Sequence, residues 1–292
     1  MNSLTIAQLA QFSGVKPHTI RVWEQRYQAL SPARTQGNTR TYSDLDLKRL
    51  LNIVSLMESE YKVSELCGMK DDALSELIEN MYSLETNEKP NPFVSQLISA
   101  GMEFNERSFQ KILSHCLLRF GVDGTYRDVI YPLLDRVGLM WSADLLPPAH
   151  QQFMCNLIRQ KMLTATDALP FPAPDSRKWL LFLPEDEYHE MGLLFAHYLL
   201  RKNGEDVVYL GSSVPLGTLN VAIETVKPDC LLLFFVHYDF PGNVSSYLSD
   251  IAGIFDKGTI FISGNEKLIE QVSLIDQVTW LKKVDDMERI VQ

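Results

Sequence analysis

Two groups of residues in this sequence have types and spacing suited to chemistry. Lys16, His18, Thr19, Arg21 and Arg26 set hydrogen-bond donors along one short stretch near the amino terminus, and Arg34, Arg40 and Tyr42 follow closely. Donors of these types meet the acceptors on DNA base edges and phosphates. The second group is Glu187-Tyr188-His189-Glu190-Met191-Gly192, with an acid two residues before a histidine and a glycine three after it. By spacing alone this histidine reads as a surface residue opening a helix, with Glu187 as the cap.

The first group must be held by a helix-turn-helix. Thr5 before Ile6, Leu9 and Ala10 reads as an N-cap followed by a short amphipathic helix, which Gly14 stops. Pro17 suits a first helical turn, and residues 18–27 continue as a second helix with Ile20, Trp23 and Tyr27 at helical spacing. Ile20 and Trp23 then face inward, leaving Lys16, His18, Thr19, Arg21 and Arg26 for a DNA major groove. Residues 31–42, punctuated by Pro, Gly and Asn, read as a short hairpin, a wing whose Arg34 and Arg40 suit phosphate contact. Tyr42 is assigned to the same DNA-binding set.

This stretch resembles the DNA-binding head of the MerR family of bacterial regulators. The run Thr19-Ile20-Arg21-Val22-Trp23-Glu24-Gln25-Arg26-Tyr27 is similar to the form in the family's light- and cobalamin-responsive branch, which governs carotenoid synthesis. Arg40-Thr41-Tyr42-Ser43-Asp44 fits the family's wing-to-helix junction, and the resemblance runs through Arg49 and beyond. It implies a transcription regulator, a repressor and not an enzyme, acting on double-stranded operator DNA. One recognition helix reads too little sequence alone, so a homo-oligomer, dimer or tetramer, is expected.

A net charge of −10 would oppose DNA binding if spread evenly, but residues 1–50 hold seven Lys/Arg against three acids, an excess of +4 that leaves −14 for the remainder. A basic head on an acidic body confines DNA to one surface. Cys67, Cys116, Cys155 and Cys230 are far apart in apolar surroundings and form no CxxC pair, which predicts buried thiols in a reducing compartment. No apolar run reaches the ~18 residues of a membrane span. The DNA-binding pattern begins where a signal peptide would lie, so no membrane partner and a cytoplasmic location are expected.

The 292 residues suffice for two or three domains. Helices predicted at residues 43–58, 62–66 and 71–82 complete a winged helix-turn-helix domain of residues 1–75, with no sustained heptad after it. A polar linker is read at residues 85–92. Residues 76–169 form a helical bundle, with apolar positions Phe93, Leu97, Ile98, then Phe109, Ile112, Leu113, Cys116, then Val129, Ile130, Leu133, Val137. A second Pro-rich linker covers residues 171–175. Beyond it, residues 178–292 alternate short apolar strands (179–183, 207–210, 230–236, 259–262, 278–281) with helical patterns (190–202, 216–226, 243–255, 266–272). That alternation predicts a flavodoxin-like parallel sheet covered on both faces, so the chain is multidomain, α plus α/β. Ligands in such sheets bind at the carboxyl ends of the strands.

In that setting, the loop after the first strand resembles the cobalamin-binding (D/E)-x-H-x-x-G motif, carried here by Glu187, His189 and Gly192, and Ser213 after the second strand also fits. The resemblance implies a cobalamin cofactor, adenosylcobalamin included. His189 would be the lower cobalt ligand and Glu187 would fix its tautomer. Trp141 stands where the branch caps the cofactor's upper face, which makes the bundle cap-like, although the residues alone also allow a plain core tryptophan, and Gly264 retains one half of a glycine pair. The chain departs from the pattern at Phe234, where the family has a small Ser lining the channel for the cofactor tail, and at Ser263, the other half of the pair. Gln151-Gln152 also replace a Glu-His pair, and His150 is next to them. Three readings stay open: a cobalamin sensor-regulator, a regulator whose degenerate module serves oligomerisation or partner docking, and a cobalamin-dependent methyl-transfer or mutase component, for which no residues remain to build a substrate domain. His115, His197 and His237 show no ligand spacing and receive no role.

Overall fold

The computed structural model describes residues 4–35, 37–57, 61–81, 91–142, 146–236, 243–270, 272 and 275–290. The chain divides into two compact units, residues 1–158 and 159–292.

In the first unit, α1 (Ile6–Ser13) and α2 (Pro17–Tyr27) form the helix-turn-helix. A capping box opens α1: Thr5 Oγ1 accepts from the Gln8 N–H, and the Gln8 side chain accepts from the Thr5 N–H. Gly14 closes it at φ 72, a left-handed cap that only glycine adopts without strain. The wing is the antiparallel pair β1 (Ala33–Arg34) and β2 (Arg40–Thr41). α3 (Asp44–Ser55) starts one residue later than predicted, because Ser43 is its cap, in a box with Asp46. α4 (Val63–Gly68) and α5 (Asp71–Met81) follow. Arg49 on α3 donates to the carbonyls of Ala29 (2.7 Å), Cys67 (2.7 Å) and Met69 (2.8 Å), tying the end of α2 to the turn after α4.

Four helices then appear where the bundle was predicted: α6 (Asn91–Met102), α7 (Glu106–Thr125), α8 (Tyr131–Ser142) and α9 (Pro148–Asp167). Asn91 and Pro92 open α6 instead of ending a linker, since proline is tolerated in a first turn, and residues 85–90 lie outside the described residues. α7 breaks at Gly121, φ 68, and a π-helical turn (Tyr126–Ile130) joins it to α8. Neither was predicted, because the wide turn keeps Tyr126, Val129 and Ile130 buried and so preserves the apolar pattern. Within this unit α3 packs on α6, and Lys48 is ion-paired with Glu103.

In the second unit, residues 171–175 lie in the loop before the sheet. The strands β3 (Lys178–Pro184), β4 (Asp206–Val214), β5 (Cys230–Phe235), β6 (Thr259–Gly264) and β7 (Val278–Trp280) pair in parallel, in the order β4-β3-β5-β6-β7. This is the flavodoxin-like order. The connecting helices are α10 (Met191–Lys202), α11 (Leu216–Val226), α12 (Val244–Ile254) and α13 (Glu266–Ile269), and α14 (Val284–Arg289) follows the last strand. β5 is buried along its whole length and β3 from Trp179 onward, as uninterrupted apolar strands between two helical layers must be. Leu180, Phe182, Leu231, Leu233, Ile260 and Ile262 meet Leu219, Leu248 and Ile251 of the helices in one core. β4 continues past its predicted end at Leu210 because a bulge carries it on: pairing jumps from Leu181–Tyr209 to Phe182–Gly211, with Gly211 at φ 86.

The four cysteines are free thiols, three of them buried and Cys155 half-buried. Among the described residues no helix is long and apolar enough to cross a membrane.

At the end of β6, Gly264 has φ 130, and a Cβ there would lie 2.0 Å from the Phe235 carbonyl oxygen. Gly264→Ala is expected to destabilise the chain by at least about 2 kcal/mol, through left-handed strain and the displaced strand end. An earlier urea midpoint is the readout, and an unchanged midpoint contradicts the close approach.

Candidate functional site

α2 presents one face and hides the other. Ile20 and Trp23 are buried, whereas Lys16, His18, Arg21 and Arg26 are exposed and Thr19 is half-buried. On the wing, Arg34 is exposed and its Nη1 donates to Asn38 Oδ1 at 2.6 Å, across a turn in which Asn38 has φ 60. The predicted donors therefore share the surface of α2 and β1.

Two predicted members are placed differently. Arg40 is half-buried, with Nε donating to Glu24 Oε1 at 2.7 Å. Tyr42 is 1% exposed and its hydroxyl donates to Glu24 Oε2 at 2.9 Å. Burial, then the Glu24 hydrogen bond, push the Tyr42 phenol well above its ordinary range. Tyr42 is thus a core residue and not a DNA-facing one, and Arg40 is one arm of a clamp between the wing and α2. The clamp residue itself, Glu24, was missed. Its signal was its charge: Glu24 is the one acid between Lys16 and Tyr27, where an unneutralised carboxylate would repel phosphate. Glu24→Ala is expected to cost about 1–3 kcal/mol of stability by stranding the buried Tyr42 hydroxyl, and to weaken operator binding by releasing the wing. Thermal melts and gel shifts read the two effects; unchanged melting and binding together would remove the clamp.

The histidine loop is built at the carboxyl end of β3. Asp186 turns it at φ 66, and the Glu187 N–H donates to the Pro184 carbonyl at 3.0 Å. Glu187 is 2% exposed. Its Oε1 accepts from the N–H groups of Tyr188 and His189, both at 3.0 Å, and lies 2.7 Å from His189 Nδ1. Its Oε2 accepts from the Val236 N–H at 2.9 Å, at the end of β5. Glu187 is therefore no helix cap: α10 begins at Met191 with Glu190 in the cap position and no side-chain cap bond. Nδ1 is thus the ring nitrogen turned to Glu187.

Ser213, at φ 54, joins the same loop. Its N–H donates to the Glu187 carbonyl at 3.0 Å and its Oγ accepts from the Asp186 N–H at 3.2 Å. Gly192 faces the Phe234 ring, while Gly264 packs on Phe235 and Ser263 Oγ donates to the Leu281 carbonyl at 2.8 Å. Hydrogen bonds join Glu187, His189 and Ser213, Gly192 lies at the start of α10 against Phe234, and Gly264 ends β6 against Phe235. Trp141 lies on α8, with its side chain outside the described residues. His150, on α9, has its ring 4.2 Å from that of Phe104, so it belongs to the bundle packing. His237 lies outside the described residues.

A polar cluster behind the loop was also missed. Glu190, 8% exposed, is ion-paired with Arg159 at 2.5 Å and accepts from the Tyr209 hydroxyl at 3.2 Å. The Tyr209 ring stacks on His197, 5.0 Å between centroids, and His197 lines a cavity of about 480 Å³ with Leu163, Thr166, Phe171 and Arg201. Burial, then the Arg201 charge, push the His197 imidazole down to about 4. The unfolded chain takes up that proton nearer 6.5, so the stabilisation is whole above pH 6.5 and is lost as pH falls toward 4. Between pH 7 and pH 5 the wild type should lose about 1–2 kcal/mol that His197→Gln keeps. Parallel pH profiles of the two proteins would refute a neutral, half-buried His197.

With this geometry in hand, comparisons with known proteins bear on the head first. The family described as MerR HTH family regulatory protein matches residues 4–71. The chain is 27% identical over 224 residues to the HTH-type transcriptional repressor CarH of Myxococcus xanthus, covering 75% of this chain and 74% of that protein. It is 28% identical over 251 residues to the HTH-type transcriptional repressor CarA of the same organism, covering 85% and 82%. Among solved structures, the Methanosarcina barkeri monomethylamine corrinoid protein aligns at TM-score 0.48 and 15% identity, over 66% of this chain and 94% of that one. The helix-turn-helix and wing lie within residues 4–71, the part of the chain that matches the MerR helix-turn-helix family, and over most of its length the chain is similar to the repressors CarH and CarA.

Proposed function

We propose that the chain is a transcription repressor that reads operator DNA with α2 and its wing, and that a cobalamin-type sensory module controls its assembly and DNA binding. The observation that carries the reading is the α2 surface: Lys16, His18, Arg21 and Arg26 exposed, over Ile20 and Trp23 buried, in a head that matches the MerR family. Two half-sites call for a homo-oligomer, a dimer or tetramer. The three-part division at residues 1–75, 76–169 and 178–292 belongs to this reading.

For the module, the donor set is informative. Among the described residues no group of three or more His, Cys, Asp or Glu is placed to hold a metal ion. A lone imidazole oriented by a buried carboxylate suits a metal that a macrocycle already holds. His189 and Glu187, with Ser213 fixing the loop, would hold the cobalt side of a cobalamin, which would supply a metal centre able to exchange a ligand. The ligand half of the site fits that group. The crevice beside it does not, because Phe234 fills the space next to Gly192. That ring equally favours a second reading, in which the module takes no cofactor and serves oligomerisation or partner docking.

Gel shifts at several salt concentrations test the DNA reading. Arg21→Ala should cost about 1–3 kcal/mol on operator and little on random DNA, as removal of a base contact does. Arg34→Ala should weaken both alike and lower the salt slope by about one. Equal losses on operator and random DNA for Arg21→Ala would defeat its assignment.

A further inference from the structure

We infer, on the basis of the corrinoid reading above, that this module takes a corrinoid macrocycle but excludes a nucleotide tail inserted beside the sheet, because the chain fills that space itself. In the order β4-β3-β5-β6-β7 the direction of chain progression reverses between β3 and β5. The crevice at the carboxyl ends of those two strands is where a doubly wound sheet admits a ligand. Here two contacts close it.

The first is Phe234, near the end of β5 and 5% exposed. Its ring lies against the opening turn of α10 so closely that a Cβ on Gly192 would be 2.6 Å from Cε1 and 3.0 Å from Cδ1. Gly192 is therefore needed by the chain's own aromatic ring, whatever a ligand would ask of it. The second is the bond from the Val236 N–H to Glu187 Oε2, 2.9 Å, which ties the end of β5 to the histidine loop across the mouth of the crevice. Packed interiors keep few voids larger than a water molecule, so a sugar, phosphate and base have no path between ring and helix. His189 lies outside this closure, with 42% of its side chain exposed. A flat macrocycle can approach that side chain from solvent without entering the crevice.

The test titrates the full-length protein with cobalamin and with cobinamide, the same macrocycle without the nucleotide tail, following visible absorption. Cobinamide should bind at least about tenfold more tightly than cobalamin. Phe234→Ser should raise cobalamin affinity about tenfold, with Phe234→Leu, the gentler change, raising it less, and neither should alter cobinamide binding. His189→Ala should abolish uptake of both. Without any ligand, Gly192→Ala should lower the melting temperature of the wild type and have little effect in the Phe234→Ser background. Cobalamin binding to the wild type as tightly as cobinamide, equal gains for both ligands in Phe234→Ser, or additive effects of Gly192→Ala and Phe234→Ser would each overturn tail exclusion alone. Failure of wild type and variants to bind either corrinoid would overturn it together with the corrinoid reading.

Discussion

The geometry of the candidate ligand loop depends on one buried carboxylate. Glu187 is 2% exposed, and a charge so removed from water is tolerable only if its lone pairs are taken by donors. Three backbone N–H groups, from Tyr188, His189 and Val236, supply them, together with the contact to His189 Nδ1. Because those donors come from the loop after β3 and from the end of β5, the same charge that orients the imidazole also joins the two strands whose carboxyl ends frame the crevice. Ser213 extends the arrangement to β4 by bonding the Glu187 carbonyl. The position of the histidine and the tie between the ends of β3 and β5 are thus consequences of a single satisfied burial.

The head repeats the device. Glu24 accepts from Arg40 and from Tyr42, so the wing is fastened to the recognition helix through a carboxylate whose side chain is only 12% exposed. An acid in the middle of a DNA-binding stretch is acceptable there because Arg40 neutralises it and Tyr42 shields it from solvent. Arg49 works from the opposite direction, with one guanidinium collecting carbonyls from the end of α2 and from α4. The formal positive excess of the head is consequently larger than the charge left to meet phosphate, since Arg40, Lys48 and Arg49 are already committed to carboxylates.

Where local pattern and final packing obey the same rule, the sequence is easy to read. The apolar runs of β3 and β5 are legible because both sheet faces are covered, and Thr5, Gly14 and Ser43 announce helix ends because capping is settled within a few residues. The readings that moved depended on partners further away. Gly211-Ser212-Ser213 has loop chemistry, yet pairing with β3 carries it on as bulged strand. The π turn before α8 and the break at Gly121 leave apolar spacing almost unchanged, so periodicity cannot reveal them.

By itself the sequence determined the order of elements, the winged helix-turn-helix, the parallel sheet, and which residues carry donors or a potential ligand. Those properties rest on spacings of two to four residues, the range over which strands and helices repeat. Tertiary structure alone decided what those residues touch. Glu24 finds Tyr42 eighteen residues away, Glu187 finds Val236 forty-nine residues away, and Phe234 comes to rest on Gly192 from a different strand. Each of these contacts reverses or completes a local reading: a wing arginine becomes a clamp, a helix cap becomes an imidazole holder, and the bulky ring at position 234 comes to pack on the first turn of α10. The reason is that burial acts on whichever groups the packed chain brings together, and sequence distance does not enter into it.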